Sequence, residues 1–264
     1  MRATLDIRSI HLRVANLDRS VQFYTERLGF ALLSRGAARA ELAAPGIGGE
    51  LPSAGHLRLG EHPLAEKAAF HSAGLFHAAL LLPTRAALGH WLRSAADAGV
   101  SFQGFSDHGV SEAIYLVDPD GNGLEVYADR PRAAWPKYQG ELAMVTEPLS
   151  LPELLASSAD LVGPPLAGGR WGHLHLRVTN LDRSEAFYRA NWGVHLTQQL
   201  GASARFLARD DYHHHLGINT WGGVTLPRDP ESIGLSEFTV AVEGVTSATA
   251  LSDPDGIVFQ LIPM

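Results

Sequence analysis

A fourteen-residue segment occurs twice in this chain. Residues 11–24 read HLRVANLDRSVQFY and residues 175–188 read HLRVTNLDRSEAFY, identical at 11 of 14 positions with an offset of 164. A repeat of this length constrains architecture before any motif does, because duplicated sequence folds into duplicated supersecondary structure. It also lets the chemistry of each copy be compared with the other position by position.

Around the repeat the pattern is β-α-β-β-β. Residues 7–14 alternate as a strand does, Asp18 is placed to cap a helix carrying Val21, Tyr24 and Leu28 at helical spacing, and Gly29 stops it. Strands near 32–34, 40–43 and 56–59 complete the unit. A second unit has a strand at 75–82, a helix from Pro83-Thr84 to Gly99, and strands near 101–105, 112–117 and 123–128. A DPDG turn at 118–121 joins the last two. Six prolines (131, 136, 148, 152, 164 and 165) then mark a linker with a short helix near 151–157. The third unit has a strand at 173–178, a helix at 182–190, and strands near 195–200, 203–208 and 213–219. The fourth starts at Leu235 with a strand at 237–242. DPDG returns at 253–256, an offset of only 135, so the second half is 29 residues shorter. Part of the loss falls after Val242, where a helix would stand, and unit four reads as a truncated copy.

Composition narrows the function classes. A net charge of −7 without a long basic stretch argues against nucleic acid or an anionic membrane surface as the main partner. With no cysteine there are no disulfides and no thiolate nucleophile, so any metal must be held by His, carboxylate or amide groups. No apolar run approaches the roughly 18 residues of a membrane span. The N-terminal MRATLDIRSIHLRV lacks an apolar signal core, so a cytoplasmic location is the expectation. Histidines number 13, and position must separate ligands from ordinary residues.

Units that open with H-x-x-x-x-V-x-x-L-D-x-S-x-x-F-Y, as at 173–188, and close with D-P-D-G-N-G-x-E, as at 118–125, resemble the vicinal oxygen chelate superfamily. That superfamily takes in glyoxalase I, bleomycin-resistance proteins and extradiol ring-cleaving dioxygenases. GLFHAALLLP (74–83), DHGVSEAIYLVDPDGNGLEVYADRPR (107–132), GHLHLRV (172–178) and YHHHLGINTW (212–221) are most similar to bacterial two-domain catechol 2,3-dioxygenase proteins. The resemblance covers nearly the whole chain outside the linker. It implies an α+β fold of four βαβββ units forming two curved eight-stranded sheet assemblies. Along the chain it divides a first domain at 1–130, the linker at 131–169 and a shortened second domain at 170–264.

In this superfamily each unit offers one metal-ligand position on its first strand and one on its last. Unit one offers Ser9 and Leu57 or Arg58. Unit two offers His77 and Glu125, unit three His173 and one of His214 or His215, and unit four Glu237 and Gln260. If units pair in chain order, His77 and Glu125 stand alone in one site. If unit two pairs with unit three, His77, Glu125 and His173 gather, with units one and four left as a metal-free half. The second pairing is favoured. Two His and one carboxylate form the set that non-haem Fe(II) oxygenases use, leaving positions for substrate and O₂. A carboxylate at the end of an apolar strand, as at Glu125, also needs a partner.

The resemblance further implies Tyr115 and His108 as hydrogen-bonding groups and an acid–base histidine on the segment YHHHLG. There His214 is favoured over His215, which stays open. His11 and His175 recur in both copies and read as packing residues, and Glu237 and Gln260 as solvated ones. The implied function is extradiol cleavage of a catechol-type aromatic by O₂. Fe(II) is the expected metal, with Mn, Zn or Ni as alternatives. No nucleic-acid or membrane partner is expected, and homo-oligomerisation stays open. The other readings are a glyoxalase-like isomerase or lyase, with Zn or Ni and His214 as a fourth ligand, and a metal-free binding protein of the bleomycin-resistance kind.

Overall fold

Unit one comprises β1 (Leu5–Val14), α1 (Leu17–Gln22), β2 (Ala31–Arg35), β3 (Arg39–Ala43) and β4 (His56–Glu61). The computed structural model describes residues 4–49 and 55–264. Unit two comprises β5 (Gly74–Leu82), α2 (Arg85–Asp97), β6 (Phe102–Asp107), β7 (Ser111–Val117) and β8 (Gly123–Asp129). The linker holds three two-residue strands, β9 (Lys137–Tyr138), β10 (Glu141–Leu142) and β11 (Glu147–Pro148), and the short helix α3 (Leu151–Ala156). Unit three comprises β12 (Arg170–Arg177), α4 (Leu181–Trp192), β13 (His195–Leu200), β14 (Ala204–Ala208) and β15 (Leu216–Asn219). Unit four has only β16 (Gly234–Val242), β17 (Thr249–Ser252) and β18 (Val258–Pro263), with no helix between its strands.

The helix starts follow one rule in all three complete units. The side chain of Asn16 accepts Arg19 N at 2.8 Å, Thr84 accepts Ala87 N at 3.0 Å, and Asn180 accepts Arg183 N at 2.9 Å. Asp18, expected as the cap of α1, instead lies in its first turn, where its charge suits the helix N-terminus. Helix α1 passes into a wider turn over Phe23–Leu28, closed by Gly29 at φ 94°.

Strands pair across the linker. β5 lies antiparallel to β12, and β1 antiparallel to β16. Units two and three therefore share one body, ordered β6-β7-β8-β5-β12-β15-β14-β13, with β11 added at the edge of β6. Units one and four share the other, ordered β2-β3-β4-β1-β16-β18-β17. The first has the expected eight unit strands. The second has seven, because unit four keeps three. A bridge between Ile7 and Trp171 joins both bodies into one sixteen-stranded sheet.

The DPDG turns latch the helices in a different pairing. Asp118 accepts Asp120 N at 2.9 Å, Asn122 N at 2.8 Å and Asn122 Nδ2 at 2.8 Å, and the Tyr24 hydroxyl of unit one donates to it at 3.0 Å. Asp253 repeats this, accepting Asp255 N, Ile257 N and the Tyr188 hydroxyl at 2.8–2.9 Å. Arg19 and Arg183 of the repeat pair with Asp120 and Asp255. So unit one is latched to unit two and unit three to unit four, while the sheets join two to three and one to four. Each unit is held by two different partners.

Asp118→Ala would leave Tyr24 and two buried backbone N–H groups without an acceptor, and each such orphan costs about 1–3 kcal/mol. Denaturant unfolding should show a loss of about 3 kcal/mol or more for Asp118→Ala, against about 1 kcal/mol for Tyr24→Phe. A loss for Asp118→Ala no larger than that for Tyr24→Phe would show that water replaces the latch.

Candidate metal centre and substrate cavity

Three strands bring His77, Glu125 and His173 to one point. His77 lies on β5 and Glu125 on β8, which runs parallel beside it. His173 lies on β12, antiparallel on the other side. The Nε2 atoms of His77 and His173 stand 3.0 and 3.2 Å from the same oxygen, Glu125 Oε2. All three side chains are buried, and their ligand atoms lie within 4.8 Å of one another.

These residues fit a divalent metal. Two donors each about 2.1 Å from one ion and at right angles to each other stand about 3 Å apart. His77 Nε2 has no hydrogen-bond partner despite its closeness to Glu125, so the approach is not that of an N–H···O bond. Burial alone would raise the Glu125 carboxyl, but the His173 and His77 imidazoles outweigh it and hold it well below the usual carboxylate range. Burial holds His173 below the ordinary histidine value. Metal binding requires the carboxylate ionised, which is the form this lowering favours.

The fourth family position in this body is a glycine. In unit two, Ala79, two residues after His77, pairs with Glu125. In unit three, His175, two residues after His173, pairs with Gly217. A Cβ at Gly217 would meet the His175 ring at 2.8 Å, so the imidazole occupies the space a side chain would need. Neither His214 nor His215 stands at that position. Both precede β15 in an irregular segment rather than lying on the strand expected at 213–219.

The matching positions of units one and four are Ser9, Arg58, Glu237 and Gln260. Leu57 is fully buried in the apolar core, which leaves Arg58 at the position. Arg58 Nη1 lies 3.3 Å from His11 Nε2, His11 Nδ1 lies 3.5 Å from Glu237, and Gln260 Nε2 donates to Glu237 at 3.3 Å. The Arg58 guanidinium is the positive group there, because burial and Arg58 hold His11 below the ordinary histidine value, and Glu237 and Gln260 are tied into this cluster rather than simply solvated.

His214 and His215 part company in the segment before β15. His215 accepts Arg209 N on its Nδ1 at 3.2 Å and packs on Tyr212, and burial lowers it to about 3. His214 lines the cavity with its ring centroid 4.1 Å from that of His173. Burial, then His173 and His213, holds it well below the ordinary histidine range. Its Nδ1 lies 2.8 Å from Nδ1 of His213, whose Nε2 lies 2.9 Å from Asp129. A carboxylate only accepts, so His213 Nε2 carries hydrogen. With the hydrogen of this contact on His214 Nδ1, the His214 Nε2 lone pair is left for the cavity. Neither His213 nor Asp129 stood out in the sequence.

His108 and Tyr115 are also brought together. A carbonyl only accepts, so His108 Nδ1–H donates to Val145 O at 2.8 Å. Its Nε2 then accepts from the Tyr115 hydroxyl at 2.8 Å. Burial, then the Glu125 charge, raises the Tyr115 phenol well above its usual value, so Tyr115 stays a donor. Val145 belongs to the linker, and its neighbour Met144 is clamped by Gln198, which accepts Met144 N at 2.6 Å and donates to Met144 O at 2.9 Å. The linker therefore forms one wall of the cavity.

That cavity holds about 730 Å³ and contains His77, Glu125, His173, His214, Tyr115 and His108 on its walls. His175, read as packing because His11 matches it, also faces the cavity, with its buried Nε2 unpartnered. Phe76 and Trp221 pack edge-on at 5.2 Å, each within 5.3 Å of the His175 ring, and form an aromatic corner. Among the described residues no helix is long and apolar enough to cross a membrane.

Comparison with known proteins agrees with this architecture. Residues 6–126 match the family model described as the Glyoxalase/Bleomycin resistance protein/Dioxygenase superfamily. A protein of Bacillus subtilis (strain 168) named catechol-2,3-dioxygenase is 39% identical over 236 residues, which cover 88% of this chain and 80% of that protein. Glyoxalase I from Zea mays has the same fold, with a TM-score of 0.58 at 17% identity over 98% of this chain and 92% of that one. The cppA protein of Streptococcus pneumoniae TIGR4 also aligns at 0.58, with 14% identity and 98% of both chains covered. With its four repeated units and its His-Glu-His cluster, the chain belongs to the glyoxalase/bleomycin resistance protein/dioxygenase superfamily.

Proposed function

We propose that this protein is an extradiol ring-cleaving dioxygenase that uses a non-haem Fe(II) ion and O₂ to open a catechol-type aromatic beside its diol. The observation that carries this reading is the three-ligand set His77, Glu125 and His173, with glycine at the fourth family position. Three protein ligands would hold the ion and leave positions open for a diol and O₂, whereas a fourth would take one of those places. The name of the Bacillus subtilis relative supports the same reaction class.

The side chains divide the remaining tasks. The iron supplies the Lewis acidity and one-electron chemistry with O₂ that no side chain here can offer. His214 Nε2 accepts a proton from a diol hydroxyl as the substrate docks and returns it as the ring opens. Asp129 and His213 hold His214 in the tautomer that leaves Nε2 bare. Tyr115 lies on the cavity wall with its hydroxyl held by His108, and turned from His108 to the substrate the same O–H would donate to an oxygen that gains negative charge. Phe76, Trp221 and His175 give the ring an aromatic surface and exclude water.

Two outcomes follow. Metal analysis after anaerobic preparation should find about one divalent ion per chain, lost in His77→Ala and Glu125→Ala and retained in Glu237→Ala and Gln260→Ala. Loss in the last two with retention in the first two would assign the metal to the other body. In catechol turnover followed by the yellow ring-opened product, His214→Gln should keep metal and catechol binding while kcat falls on the order of 10²–10⁴-fold. Asp129→Ala should fall less, on the order of 10-fold, because it acts through His213. If His214→Gln strips the metal instead, His214 is a ligand and the lyase reading gains.

A further inference from the structure

Arg177 closes β12 on the cavity side, and among the described residues its positive charge has no protein partner. It lines the cavity that holds the metal ligands. Its Nε is buried without a hydrogen-bond acceptor. Leaving a half-buried guanidinium unpaired is costly unless a ligand supplies the missing charge.

The repeat provides the control. Arg177 corresponds to Arg13 in the first copy, and both stand at the same place in the ladder: Arg13 opposite Gly234, Arg177 opposite Gly74. Arg13 is satisfied by the protein, donating to Pro230 O at 2.5 Å and pairing with Glu231 at 3.1 Å. Glu231 lies three residues before Gly234. Three residues before Gly74 stands His71, whose Nδ1 is engaged with Gly222 O. The acid that neutralises the arginine in the metal-free half is therefore missing from the half with the metal ligands. Asp120, in the adjoining recess, is occupied by Ala15 N and Arg19. Apart from Glu125, which faces the two histidines, the cavity lining holds no carboxylate among the described residues.

We propose that Arg177 binds a carboxylate carried by the aromatic diol, so that the substrates are dihydroxyaryl acids rather than catechol or its alkyl derivatives. The inference rests on the dioxygenase reading for the diol and on Arg177 alone for the acid. His173 and Arg177 lie four residues apart on one strand, about 13 Å along it. The long arginine side chain spans part of that distance, and an aromatic ring with a short acid arm spans the rest, passing the corner formed by His175, Phe76 and Trp221. The planar guanidinium matches a carboxylate through two parallel hydrogen bonds.

The test is anaerobic calorimetric binding of 4-methylcatechol, 3,4-dihydroxybenzoate and 3,4-dihydroxyphenylacetate to the metal-loaded protein, its Arg177→Gln variant and its Arg177→Lys variant. Thermal melting and metal content establish that each variant is folded and loaded. The wild type should bind one of the acids on the order of 10- to 100-fold tighter than 4-methylcatechol. Arg177→Gln should erase that preference with 4-methylcatechol affinity within about twofold of wild type, and Arg177→Lys should restore part of it. An acid preference unchanged in Arg177→Gln, or no acid preference in the wild type, would overturn the proposal. Turnover separates the two readings. Ring cleavage of catechol with no Arg177 effect leaves the dioxygenase standing without the subsite. An Arg177-dependent acid preference with no ring cleavage of any diol leaves the subsite standing without the dioxygenase.

Discussion

The register of β5 against β12 decides whether this protein has a site. His175 pairs with His77, and His173 with Ala79, which in turn pairs with Glu125 on β8. A slip of one residue would turn both histidines to the opposite face. The ladder also carries two irregularities, between Trp171 and His173 and between His175 and Leu176. The first gives β12 an extra residue and the second gives one to β5, and such bulges re-aim side chains next to functional sites. Phe76 is the extra residue on β5 and forms the aromatic corner of the cavity.

The ladder joins strands that are distant in the chain, and the DPDG latches explain how it is held. The sheets join units two and three, and one and four. The helix-to-turn latches join units one and two, and three and four. No unit can shift its register without straining a bond to a unit in the other body. The motif that recurs most faithfully, LDRS with FY and DPDG, thus serves the frame, and the residues that differ between copies serve the site. Ser9 against His173 is one such difference, and Arg58 against Gly217 is another.

Much of this was legible in the sequence because it is written in fixed spacings. Ser9 and His173 are aligned by the repeat itself, at its offset of 164, and His77 and Glu125 by the family pattern around the DPDG turn, so the ligand positions could be aligned without coordinates. The preferred pairing of units two and three followed from the ligands it would gather, and strand pairing agrees. What stayed hidden depends on irregular backbone. The expected strand at 213–219 begins only at Leu216, so alternation could not order His213, His214 and His215. Asp129 reaches His213 across 84 residues, and Val145 reaches His108 from a linker with no periodicity to read. His175 was set aside because His11 matches it. The same residue type meets an arginine and Glu237 in one body and an open cavity in the other.

That contrast extends to charge. In the body of units one and four, the cluster at the matching positions is closed on itself, with Arg58 paired to Glu41 and Glu237 held by His11 and Gln260, and Arg13 is answered by Glu231. In the body of units two and three the arginine has no such answer. Glu125 is a buried carboxylate facing the His77 and His173 imidazoles, and among the described residues Arg177 is a guanidinium without an acid. A buried carboxylate and an unanswered guanidinium, at separate places in one cavity, would be poor design for a core. They are what a site needs if a cation is to sit at one and an anionic group at the other. The closed circuits of the first body show that this fold can satisfy such groups internally, so the open ones in the second mark where ligands complete the structure.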